Sequence, residues 1–144
     1  MIVEHATRPI LLIEDNPLDV DLTLRAFQRR NLANPIQVAR DGQEALDWIP
    51  KWVAGEQPLP LVVLLDLKLP RVDGLDVLRQ LRLHPASRKL PVVVLTSSSD
   101  DRDVERAYEL HANSYIVKPV NFDKFAEVAA QIERYWCLIN HPPS

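Results

Sequence analysis

Three short apolar runs restrict what this 144-residue chain can become: Ile10-Leu11-Leu12-Ile13, Leu61-Val62-Val63-Leu64-Leu65 and Pro91-Val92-Val93-Val94-Leu95. Each is of strand length and apolar at every position, so neither of its faces can be turned to water. Segments of helical length, with apolar residues three and four apart, separate the runs. Strands buried on both faces and alternating with helices imply an α/β domain whose parallel sheet is covered on both sides. Ile36 to Ala39 and Ser114-Tyr115-Ile116-Val117 are shorter runs that bring the strand-then-helix units to five.

Caps and breakers place the helices between them. Asn16 is a good N-cap with Pro17 at the first helical position and Asp19 in the first turn, and Val20, Leu24 and Phe27 then face the sheet. After Asp41-Gly42, a second helix presents Ala45, Leu46, Ile49 and Trp52. The breaker-rich stretch Ala54 to Pro60 is a loop insertion. A third helix runs from Leu75 to Leu83 and is stopped by His84-Pro85, because a residue before proline avoids helical geometry. A fourth begins around Ser97 to Asp101 and continues through Leu110. The last starts after Asn121 and runs through Ile132 to about Cys137. One domain over residues 1–144 is expected, with its core over about 8–139.

Composition excludes several classes. Hydrophobic residues make up 47% and charged ones 26%, which suits neither disorder nor a membrane protein. The apolar runs fall far short of the roughly 20 residues of a spanning helix. With 17 basic and 20 acidic residues the net charge is -3, and nothing suggests a nucleic-acid surface. Cys137 is the sole cysteine, so neither an internal disulfide nor a cysteine metal cluster can form. Met1 to Arg8 has no signal-peptide stretch, and the expected location is the cytoplasm. Histidines 5, 84, 111 and 141 share no ligand spacing and are expected at the surface.

The ends of the runs carry the chemistry. They terminate in Glu14-Asp15, in Asp66, in Thr96-Ser97-Ser98 and in Lys118-Pro119. Right-handed crossovers and a reversal of strand order open a crevice beyond the strands' carboxyl ends. Neighbouring strands lie about 4.8 Å apart, so these side chains can meet around one small ligand. Glu14, Asp15 and Asp66 would raise one another's pKa unless a cation joined them. An all-oxygen donor set favours a hard ion, and Mg2+ is the cellular candidate. With Lys118 as a fixed positive charge and Thr96 as a hydroxyl donor, the set forms a cradle for a phosphoryl group, and Asp66 is the candidate nucleophile.

These motifs resemble the receiver domain of two-component response regulators. The matching residues are Leu12-Ile13-Glu14-Asp15-Asn16, Leu65-Asp66-Leu67-Lys68-Leu69-Pro70 with Asp73-Gly74, Thr96-Ser97, and Tyr115 with Lys118-Pro119. The spacings, 30 residues from Asp66 to Thr96 and 52 from Asp66 to Lys118, match as well. The resemblance implies a flavodoxin-like (βα)5 doubly wound parallel sheet in the strand order 2-1-3-4-5. It implies that Asp66 receives phosphate from a sensor histidine kinase, and that Glu14, Asp15, Asp66 and the backbone carbonyl of Lys68 hold Mg2+. Thr96 and Lys118 would hold phosphate oxygens, and Thr96 and Tyr115 would form a switch pair. Lys68 and Ser98 would tune water attack on the acyl phosphate. Glu14 stands where an aspartate is common. Pro119 suggests a cis peptide aiming Lys118.

Only 26 residues follow Lys118, which leaves room for no output domain, so a stand-alone regulator acting through protein contacts is expected. The layout is similar to the stand-alone regulators of bacterial phytochrome-type kinases. The apolar end Tyr135-Trp136-Cys137-Leu138-Ile139 suggests a homodimer through the fourth helix, fifth strand and last helix. Competing classes fare worse. An aspartyl-phosphate phosphatase resembling the haloacid-dehalogenase family needs a second aspartate two residues after the nucleophile, where this chain has Lys68. A flavin or dinucleotide module needs a glycine-rich loop, whereas Gly42, Gly55 and Gly74 are far apart. A receiver-like docking domain that never takes phosphate is the remaining alternative, disfavoured by intact Asp66, Thr96 and Lys118.

Overall fold

A computed structural model describes residues 8–30 and 32–141. Strand β1 (Ile10–Ile13) leads into α1 (Pro17–Gln28), β2 (Ile36–Ala39), α2 (Gly42–Leu46), α3 (Trp48–Val53), β3 (Val62–Leu65) and α4 (Gly74–Leu83). Then follow β4 (Val92–Thr96), α5 (Asp101–Glu109), β5 (Ser114–Val117) and α6 (Phe122–Ile132). The five strands form one sheet in the order β2-β1-β3-β4-β5, all pairs parallel. This is the expected flavodoxin-like topology.

Alternation along the strands divides the core into two layers. Leu11, Ile13, Val63, Leu65, Val92 and Val94 point to one face, where they meet Ala45, Ile49 and Trp52 of α2 and α3, Val77, Leu78 and Leu81 of α4, and Ala107 of α5. Ile10, Leu12, Val62, Leu64, Val93 and Leu95 point to the other, against Val20, Ala26 and Phe27 of α1 and Phe125, Ala129 and Ile132 of α6. Full burial of one such side chain contributes about 1.5–3 kcal/mol, so the central strands anchor the domain.

Two helices depart from expectation. The second breaks into α2 and α3 because Pro50 has no N–H to donate to the Leu46 carbonyl and its ring crowds that carbonyl. The last continues beyond α6 as a π-helical segment over Glu133–Ile139, with the Asn140 N–H donating to the Tyr135 carbonyl at 2.6 Å. The wider turn carries the apolar spacing from Ile132 to Cys137, five residues on, and keeps both side chains in the core. Trp136 packs partly against that core, whereas Tyr135, Leu138 and Ile139 are 49%, 74% and 54% exposed.

Other boundaries follow local chemistry. The Asn16 side chain accepts from Leu18 N–H, Asp73 caps α4, Asp100 caps α5 and Asn121 caps α6. His84 is extended ahead of Pro85, ending α4. Every described peptide bond is trans, including that preceding Pro119, which corrects the cis expectation; trans is the ordinary preference of an X–Pro bond. His84 is half-buried, His111 and His141 are exposed, and His5 lies outside the described residues. No helix among the described residues is long and apolar enough to cross a membrane.

Candidate functional site

Backbone bonds between strand ends bring the predicted residues to one place. Beyond β1, the Glu14 N–H donates to the Ala39 carbonyl at 2.9 Å. Beyond β3, the Asp66 N–H donates to the Ile13 carbonyl at 3.0 Å, and beyond β5 the Lys118 N–H donates to the Thr96 carbonyl at 2.8 Å. The ladder thus sets the four positions through backbone bonds alone. Gly74 supports the same geometry: a Cβ there would lie 2.5 Å from the Asp66 carbonyl oxygen and 2.4 Å from Leu67 Cα. The Gly74 N–H instead donates to the Leu67 carbonyl at 2.9 Å and folds the loop back onto Asp66.

Lys118 joins the acids. Its Nζ donates to Glu14 Oε1 at 2.5 Å, to Asp19 Oδ2 at 2.7 Å and to Asp66 Oδ2 at 3.1 Å. The lysine side chain is 8% exposed, and those of Glu14 and Asp66 are 3% and 7% exposed. Glu14 Oε2 also accepts from the Asn16 N–H at 3.1 Å, and Asp66 Oδ1 from the Lys68 N–H at 3.3 Å. Glu14, Asp15 and Asp66 each offer a carboxylate oxygen, and these lie within 4.8 Å of one another. Asp15 is exposed at the mouth of this cluster.

The two buried carboxyls are driven apart. Burial, reinforced by the nearby charge of Asp66, raises Glu14 to about 7 despite its bonds to Lys118 and to Asn16. Burial also opposes the charge on Asp66, but the hydrogen bond from Thr96, the Lys118 charge and the hydrogen bond from Glu14 together hold its carboxyl below the ordinary range. Of the two, Glu14 is therefore the group that takes up a proton first as pH falls, the usual outcome when like charges meet in a small space. Burial works against the Lys118 ammonium, yet its bonds to Asp19 and Glu14 and the charge of Asp66 raise it above the ordinary lysine range. An ionised carboxylate beside a fixed cation is equipped to attack an electrophilic phosphorus.

A second network links this centre to α5. The Ser98 N–H donates to Thr96 Oγ1 at 3.4 Å, and Ser98 Oγ donates to Asp103 Oδ2 at 2.6 Å. Half-buried Tyr115 donates its hydroxyl to the Ser98 carbonyl at 2.9 Å. Thr96 is fully buried. Thr96, Ser98 and Tyr115 are thus connected, whereas the Lys68 side chain is exposed. Sequence reasoning treated Asp19 only as a favourable first-turn acid. Its place in the first turn of the helix that leaves the end of β1, four residues after Asp15, was the signal that it also reaches the crevice.

The donor set suits a divalent ion: three clustered carboxylates carry more negative charge than one ammonium balances, and all donors are hard oxygens. The family model of the response regulator receiver domain matches residues 10–130. The chain is 44% identical to "Probable methanogenesis regulatory protein FilR2" of Methanothrix harundinacea, over 93% of this chain and 86% of that protein. The crystal structure of the phosphorylated cyanobacterial phytochrome response regulator RcpA superposes with a TM-score of 0.88 at 32% identity, covering 96% of this chain and 99% of that one. The Mn2+-bound form of response regulator Rcp1 superposes with a TM-score of 0.86 at 33% identity, covering 95% and 99%. Receiver domains bind divalent metal, and the acids clustered here fit that property. On sequence, topology and site chemistry alike, the chain belongs to the response regulator receiver domain family, the signalling modules of two-component systems.

Proposed function

We propose that this protein is a single-domain response regulator that accepts a phosphoryl group on Asp66 from a sensor histidine kinase in the cytoplasm. The observation that carries this reading is the buried Asp66 held 3.1 Å from Lys118 within a cluster of three carboxylates, at the strand ends that also bring up Thr96. An Asp66 oxygen forms its bond to phosphorus as the bond from phosphorus to the donor's imidazole nitrogen breaks, that nitrogen leaving with the electron pair. Lys118 and Thr96 would hold phosphoryl oxygens. Glu14, Asp15 and Asp66, with the Lys68 carbonyl, would hold Mg2+, which when bound neutralises charge on the transferring group. The ion would then compete with protons for Glu14. Lys68 and Ser98 would flank the acyl phosphate and set its hydrolysis.

The signal would leave through Thr96 and Tyr115, which Ser98 already connects to the first turn of α5. Partner proteins and a second copy of this chain would read the face made by α5, β5 and the end of α6. Support for that face comes from exposed Val117, Tyr135, Leu138 and Ile139. The likeness to RcpA favours a phytochrome-type kinase as phosphodonor. The near-complete coverage of FilR2 and RcpA favours action without an output domain.

Intact mass after incubation with Mg2+ and acetyl phosphate tests the reading. Wild type should gain one phosphoryl group, and Asp66→Asn, or wild type without Mg2+, none. A wild type that neither gains mass nor binds beryllofluoride would instead be a phosphate-independent docking domain.

A further inference from the structure

An ammonium has three hydrogens, and Lys118 gives all of them to carboxylates. Two of its acceptors change character in the phosphorylation proposed above, on which this inference rests. Asp66 loses its charge on becoming an acyl phosphate, and Glu14 is a candidate metal ligand. The third, Asp19, is neither an acceptor of phosphate nor a member of the clustered acids Glu14, Asp15 and Asp66. It alone keeps a full claim on the lysine throughout.

The hold of Asp19 is built into α1. Its N–H donates to the Asn16 cap at 3.4 Å, and its carbonyl accepts from Thr23 Oγ1 at 2.7 Å, so the first helical turn fixes where its side chain emerges. The carboxylate then meets Lys118 at 2.7 Å, closer than Asp66 does at 3.1 Å. It is also more exposed, 26% against 7% for Asp66, so retaining its charge costs less desolvation. Without Asp19 the remaining acceptors lie beyond β1 and β3, and the ammonium would settle towards Asp66.

We propose that Asp19 is a positioning residue that competes with the phosphoryl group for Lys118 and thereby sets how much of the lysine's charge reaches Asp66. The chain carries in α1 a brake on its own phosphoryl affinity. Asp19→Asn removes the competing charge while keeping side-chain size. Asp19→Glu retains it. Asp21→Asn is the control: it removes the same charge from the same helix, but Asp21 pairs with Arg25 at the surface.

Beryllofluoride affinity in saturating Mg2+, measured by titration calorimetry, and the rate of mass gain with acetyl phosphate are the readouts. Asp19→Asn should bind beryllofluoride about tenfold more tightly and gain phosphate faster, the factor expected when one charge-assisted bond is released to a new acceptor. Asp19→Glu and Asp21→Asn should stay within about twofold of wild type, as expected where the bond is kept or only a surface pair is lost. In a Lys118→Ala background Asp19→Asn should change nothing, because the cycle removes the shared partner. Unchanged or weaker binding by Asp19→Asn, or an equal gain without Lys118, overturns the proposal. A wild type inert to both probes overturns the phosphoacceptor reading itself, a separate result.

Discussion

Each end of the sheet holds a cation drawn in from water, and the two are treated in opposite ways. At the carboxyl end, Lys118 faces three carboxylates. At the amino end, Arg82 donates, among the described residues, to neutral oxygens only: the carbonyls of Arg88, Leu90 and His111 and Oδ1 of Asn113, at 2.7–3.2 Å. Burial lowers the Arg82 pKa, and no carboxylate among the described residues restores it, whereas the acids around Lys118 raise its pKa against burial. A planar guanidinium spread over carbonyls ties α4 to the loops before β4 and β5 without creating excess charge. A point-like ammonium among too many acids leaves a negative surplus that another cation can occupy. The first arrangement holds a fold together; the second is open to exchange of partners.

Substitutions at the two ends should separate these roles. Arg82→Ala should lower unfolding free energy by about 3 kcal/mol in urea titrations, through carbonyls left without donors, and leave phosphoryl uptake by the folded protein intact. Added Mg2+ should not recover the loss. Lys118→Ala should cost about 2 kcal/mol in a chelator, less than a rigid buried pair because Glu14 can take up a proton. Here Mg2+ should restore much of the stability and phosphoryl uptake should fall. If both variants respond alike to Mg2+, the contrast between clamp and exchange site is wrong.

Proton competition sharpens the comparison. Glu14, raised from 4.5 to about 7, binds more protons in the metal-free fold than in the unfolded chain between those values. Its contribution to stability is therefore full below the unfolded value and is lost as pH rises through about 7. Asp66, lowered from 3.8, contributes in the opposite sense: its part is present above that value and lost on acidification through the folded pKa. Calorimetric Mg2+ titrations should lose about tenfold in affinity per unit below neutrality, one proton being displaced per ion. A flat profile between pH 5.5 and 8 would remove Glu14 from the ligand set. The smallest effect is expected at Asp76, which pairs with Arg79 at 2.6 Å with both side chains more than half exposed. Asp76→Ala should shift stability by no more than about 0.5 kcal/mol, since solvent already screens that pair.

Individual elements explain what could be read in advance. The central strands were legible because burial on both faces leaves only apolar residues, and α1 because Asn16 and Pro17 cap it unambiguously. The division of the second helix was missed although Pro50 was in plain view, because Ala45, Leu46, Ile49 and Trp52 keep a helical apolar spacing across the break. The π-helical end was missed for a related reason: a five-residue step from Ile132 to Cys137 does not register as a period. Among site residues, Asp66, Glu14, Thr96 and Lys118 were marked by the ends of apolar runs. Asp19 was hidden because helix-start acids are common and ordinarily face water.

The sequence alone determined the class of fold, the sheet's two-sided burial and the four strand ends that bear carboxylates, hydroxyl and ammonium. These depend on local pattern, and strand and helix periods are written into consecutive residues. Tertiary structure alone decided the charge on those groups and the partners of Lys118. Its three acceptors lie 52, 99 and 104 residues away along the chain, and their distances depend on parallel pairing and on the angle at which α1 leaves β1. Electrostatic energies follow separation and burial through space, and neither quantity exists until the chain has closed on itself.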